Sequence, residues 1–125
     1  MSTLKANTIS NVAGSQSIST DRVAQGAAFA WVNFNGTGTI AIRQAYNVSS
    51  LTDNGVGDYT LNFTTAAVDA NYAVVGVQNS NVSSSGSACR ALSPLTLTSS
   101  TARVVNVAGT GAAEDSPTTC VALFR

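Results

Sequence analysis

The chain of 125 residues has no histidine, and only 10% of its residues are charged, six basic and six acidic. Without histidine it lacks the commonest general base and the commonest transition-metal ligand, which weakens most enzyme readings. A formal net charge of zero excludes the basic footprint of a nucleic-acid binder. No stretch approaches the roughly 18 apolar residues of a membrane span, so no membrane insertion is expected. The opening Met1 to Asn11 has one lysine and no apolar core, unlike a secretory signal. Two cysteines with no CxxC are too few for a zinc site, which takes about four ligands. Cys89 and Cys120 are left as two buried small hydrophobes, a cross-strand disulfide, or one reactive thiol.

Short polar side chains take the place of charge. Ser, Thr and Asn supply 42 of the 125 residues, beside 44% hydrophobic ones. A disordered chain has few β-branched residues and a high net charge, so this composition belongs to a folded domain. Its surface is neutral, rich in hydroxyls and low in long side chains that lose entropy when fixed, which suits packing against other copies. One domain is the expectation at this length.

Residues 1–25 stand apart, with single apolar residues (Leu4, Ile9, Val12, Ile18) spaced by Ser, Thr, Asn and Gly and no aromatic. Neither helical nor strand periodicity covers more than a few of them. They cannot bury themselves: either they are a floppy tail or, as the spaced Leu and Ile favour, an extended arm that pairs with another chain or another copy. Residues 26–125 carry strand patterns instead. Ala27 to Phe34 is apolar on both faces, as in a strand covered on both sides. Thr39 to Tyr46 alternates, with Ile40, Ile42 and Tyr46 expected inward. Val48 to Leu51 is expected as a short strand or loop before a turn over Asp53 to Gly57. Asp58 to Thr64 alternates strictly, with Tyr59, Leu61 and Phe63 inward. Tyr72 to Val77 is a near-continuous apolar run, expected as a central strand. Ser80 to Ser87 is expected as a flexible loop tip. Pro94 divides two short strands, Cys89 to Leu92 and Leu95 to Thr98. Ala102 to Val107 and Thr119 to Phe124 complete seven or eight short strands with turns every 8–12 residues. The fold is an antiparallel β-sandwich, Ig-like or jelly-roll-like, with no helical stripe.

Chemistry-bearing clusters are sparse. Asp53-Asn54-Gly55-Val56-Gly57-Asp58 gathers oxygens around glycines but lacks the ligand ladder and bidentate glutamate of a calcium loop, so a hairpin turn is expected. Glu114 and Asp115 are adjacent in a Gly-rich loop, whereas paired glycosidase carboxylates come from separated strands; a solvated tip is expected. The aromatics sit at apolar-face positions of their strands, where core packing is the ordinary role. No catalytic residue, cofactor or metal site is expected.

Residues 30–75 resemble a module common in tail-fibre and other virion-appendage proteins of bacteriophages, especially phages of marine bacteria and cyanobacteria. The matching marks are Ala30-Trp31-Val32-Asn33-Phe34-Asn35-Gly36-Thr37-Gly38, Asn47-Val48-Ser49-Ser50, Asp53-Asn54-Gly55 with Gly57-Asp58-Tyr59, and Asp69-Ala70-Asn71-Tyr72. Leu4-Lys5-Ala6-Asn7-Thr8-Ile9 with Gly14 is similar to the start of such fibres, where an N-terminal segment anchors the protein to the particle. The chain departs from the pattern at Ala66-Ala67-Val68, where a proline is expected, and it has no heptads for a trimeric shaft. The resemblance implies a non-enzymatic virion protein that self-associates, as a trimer, with its arm on another tail or capsid protein. A capsid decoration protein and a host-glycan adhesion knob are the alternatives, the knob binding through loops 35–38, 53–58, 80–87 and 109–116.

Overall fold

The computed structural model describes residues 2, 5–15, 17–79 and 91–125. Eight strands form a sandwich of two antiparallel four-stranded sheets. Sheet I has the order β4 (Ala41–Tyr46), β3 (Ala28–Asn35), β10 (Thr118–Phe124), β7 (Ala73–Asn79). Sheet II has the order β5 (Val48–Gly55), β6 (Asp58–Phe63), β9 (Thr101–Val107), β8 (Ala91–Leu97). The β-sandwich anticipated from the strand patterns is the observed fold.

The core lies between the sheets where period-two alternation aims apolar side chains inward. Ala30, Val32, Phe34, Val121 and Leu123 of sheet I meet Val48, Tyr59, Leu61, Ala102 and Val104 of sheet II, all buried. Phe34 packs edge-to-face on Tyr59 with ring centroids 5.0 Å apart. At the other end Phe29, Phe63 and Tyr72 form a second edge-to-face cluster, with centroids 5.2 to 6.0 Å apart. The Tyr72 hydroxyl is satisfied there by the carbonyls of Thr98 and Thr101.

Bulges correct several of the expectations. The β3–β10 register slips between Leu123 and Phe124, so of the two aromatics Phe29 turns inward while Trp31 keeps the outer face. β3 is therefore not covered on both sides: Trp31 is 36% exposed. On β4 the register passes from Asn33↔Gln44 to Phe34↔Ile42, making Arg43 an extra residue. That bulge resets the alternation, so Ala45 faces the core while Tyr46 faces out, 59% exposed. Ile42, on the edge strand, is 37% exposed, while Ile40 packs on the core as expected.

Among the described residues the run at Tyr72 to Val77 contributes an edge strand, β7, and not a central one. Its valines alternate, with Val74 half-buried and Val75 and Val77 exposed. Pro94 does not divide two strands. β8 runs through it, because an edge strand need not donate on both sides and a bulge follows between Pro94 and Thr96. β5 extends to Gly55, leaving Val56 and Gly57 as the turn.

Residues 1–25 are not extended throughout. β1 (Thr8–Ser10) and β2 (Ser17–Ser19) form a two-stranded hairpin, and α1 (Thr20–Gly26) follows. The sequence signal for the helix is its cap: the Ser19 hydroxyl accepts from the Arg22 amide at 3.3 Å. Seven residues are too few for a helical stripe to be recognised.

Candidate interaction surfaces

The outer faces of the two sheets differ in chemistry. On sheet II, cross-strand neighbours Ser50, Asn62 and Thr101 form one row, and Thr52, Thr60 and Arg103 the next. The Asn62 amide donates to Ser50 Oγ and Thr52 Oγ1, both at 3.1 Å, and Asn54 Nδ2 donates to Thr60 Oγ1 at 2.9 Å. Arg103 grips Asp58 with two bonds, of 2.9 and 2.6 Å. That grip holds the Asp58 carboxyl below the usual carboxylate range. These bonds tie the polar side chains of the face to one another.

The outer face of sheet I is apolar at its centre. Tyr46, Trp31, Ala122 and Val75 form a continuous row across all four strands, and Gln44, Asn33, Cys120 and Val77 the next. A shallow groove of about 400 Å³ runs over β3, β10 and β7 between Trp31 and Val77. Neither row contains a charged side chain. Arg43 bounds the face at one end, donating to Asn33 Oδ1, Thr118 Oγ1 and the Phe34 and Pro117 carbonyls.

The two ends of the sandwich also differ. At one end loops 35–38, 53–58 and 109–116 are tied together. Gly36 N donates to the Ser116 carbonyl at 2.8 Å and Gly57 N to Asp115 Oδ1 at 2.7 Å. The Tyr59 hydroxyl lies 2.8 Å from both the Gly36 carbonyl and Asp115 Oδ1. Burial, reinforced by the Asp115 carboxylate, raises the Tyr59 phenol far above its ordinary value. Asp115 is thus a clamp and not a solvated tip, a role that nothing in its spacing signals. Asp53 caps its own turn, accepting from Gly55 N at 3.0 Å.

At the opposite end Phe29, Tyr46, Asn47, Thr64 and Arg125 border an open groove of about 540 Å³. Arg125 is paired there with Asp69 at 3.1 Å. The arm leaves from this end, and its Ala24 and Gln25 lie beside Arg125.

Of the arm residues singled out by sequence, Ile9 and Ile18 are cross-strand partners in the hairpin, 53% and 41% exposed, and Val12 is fully exposed. Leu4 lies outside the described residues, as do loop 80–87 and Cys89, and with Cys89 the disulfide reading. Cys120 is half-buried on the outer face of sheet I, opposite Asn33 and Val77.

No known protein family matches the chain, and no curated protein or solved structure matches it either.

Proposed function

We propose that this chain is a non-enzymatic structural protein of a bacteriophage virion: a short fibre-like appendage that self-associates and is anchored by its N-terminal arm. The observation that carries the reading is polarity. An arm with Ile9, Val12 and Ile18 unburied leaves one end of the sandwich, and three tied loops cap the other. A body held at one end and presenting the other is the geometry an appendage needs. The apolar, uncharged outer face of sheet I gives copies a surface to share. The resemblance of residues 30–75 supplies the biological setting.

Antibodies raised against the full chain test this on intact particles. Labelling at the tail or head fibres supports the appendage, uniform labelling of the capsid shell supports the decoration alternative, and unlabelled particles overturn both. The exposed Trp31–Tyr46 pair favours a second reading, because adjacent aromatics on an open sheet face can stack on sugar rings. A glycan array of host surface sugars that stays blank removes that adhesion reading.

A further inference from the structure

Among the described residues the two open sheets have four edge strands, and each unpaired edge is a template for another chain. Three of the four here carry protection. β4 has the Arg43 bulge, and β5 has two register breaks and the charge of Asp53. β8 has Pro94 and the bulge that follows it. β7 has none of these. Its sequence, Ala73-Val74-Val75-Gly76-Val77-Gln78-Asn79, contains no charge and no proline. Its seven-residue register with β10, from Thr118↔Asn79 to Phe124↔Ala73, is unbroken. Among the described residues no backbone hydrogen bond reaches β7 from outside its sheet.

The strand is also self-complementary. Side chains of an antiparallel pair must keep to their faces, so a two-fold pairing of β7 with itself can shift only in steps of two residues. The register centred on Gly76 uses all seven. It sets Val75 of one copy opposite Val77 of the other, twice, on the outer face of sheet I. These are the two most exposed side chains of that face's valines, at 58% and 68%. The outward rows flanking them are uncharged, so a like face meets no repulsion. Gly76 itself is spoken for inside: a Cβ there would lie 2.8 Å from the Cys120 carbonyl oxygen and 3.0 Å from the Leu92 side chain. Its absence of side chain lets β7 lie flat against the sandwich, without a bulge to twist the edge away.

We propose that the β7 edge is a copy-to-copy contact, in which two chains pair antiparallel about Gly76 and join their sheets I into one eight-stranded sheet. This rests on the reading that the chain self-associates, and it names where. Seven residues per copy span only about 24 Å, so the contact falls below the roughly 1,200 Å² of a standard interface. It is therefore concentration-dependent in solution and gains from the crowding of copies on a particle. Its symmetry is two-fold, so it predicts even-numbered assemblies where the resemblance implies threes.

Sedimentation velocity of the full chain over a concentration series tests the contact, beside Val77→Lys, the pair Val75→Lys/Val77→Glu, and Leu95→Lys on the protected β8 edge. The expected result is a dimer that grows with concentration, weakened tenfold or more by Val77→Lys. The paired variant, whose opposite charges face each other across the two-fold, recovers it, and Leu95→Lys leaves it unchanged. Undiminished association in Val77→Lys overturns the β7 contact while leaving self-association standing. A wild-type chain that stays monomeric at every concentration overturns both. If Val77→Lys fails to fold, amide exchange on the wild type decides. Outward-facing β7 amides that gain protection with concentration support the pairing, and rates independent of concentration refute it.

Discussion

Asp115 accepts a hydrogen bond from the hydroxyl of Tyr59, 56 positions earlier in the chain, at 2.8 Å, and through it the loop before β10 is bolted to the start of β6. The same oxygen accepts from Gly57 N at 2.7 Å. Tyr59→Phe keeps the ring contact with Phe34 but removes the donor shared by Asp115 and Gly36. Asp115 keeps the Gly57 amide, but the Gly36 carbonyl loses its partner, and a buried acceptor left unsatisfied costs about 1–3 kcal/mol. A lower urea midpoint with an unchanged slope is the expected result, and a midpoint equal to wild type would show that the bolt carries no stability.

The pH dependence follows from opposite shifts at adjacent residues. The folded Asp58 carboxyl is lowered by its bonds to Arg103, so its stabilisation is present above the unfolded value of about 3.9 and is lost as pH falls through the folded one. The folded Tyr59 phenol is raised by burial, so its stabilisation is complete below the unfolded value of about 10 and declines as pH rises beyond it. Thermal unfolding followed from acid to alkaline pH should therefore fall away at both extremes. Asp58→Asn should reduce the acid limb and Tyr59→Phe the alkaline one, neither abolishing it, since Asp69 is also lowered and Tyr72 also raised.

Gly57 explains why this turn reads so clearly in the sequence. Its φ is +69°, and a Cβ would lie 2.6 Å from the Glu114 amide nitrogen and 2.9 Å from the Asn106 carbonyl oxygen, both backbone atoms. Gly38, at φ +64°, faces open space. Gly38→Ala should cost only the left-handed strain, about 1 kcal/mol. Gly57→Ala adds a clash that backbone must move to relieve, and it should destabilise by clearly more. Equal losses from chemical denaturation of the two variants would refute the close approach.

Strict alternation, as at Asp58 to Phe63, made β6 and its buried Tyr59 and Leu61 legible because side-chain direction follows from position alone. The same logic misplaced Tyr46 and Phe29, since one inserted residue reverses every direction beyond it and bulges leave no mark in composition. An apolar run is ordinarily covered, which argues for a central β7; among the described residues nothing covers the outer face of sheet I. The Asp115 clamp joins residues distant in sequence, and a single chain offers no local pattern for such a pair.

Asn106 of sheet II and Thr119 of sheet I are another long-range pair, both fully buried, with Asn106 Nδ2 donating to Thr119 Oγ1 at 2.8 Å. This bond crosses the sandwich among apolar neighbours, where an unsatisfied amide is expensive. Thr119→Val preserves shape but strips the amide of its partner, and should cost about 1–3 kcal/mol. Asn106→Leu removes the amide and leaves a hydroxyl, a smaller loss. In the double variant neither polar group remains, so the two costs should not add, and the coupling should reach at least about 0.5 kcal/mol. A double-mutant cycle from urea unfolding measures it, and additive losses would mean that the two side chains are stabilised separately and the bond between the sheets contributes nothing.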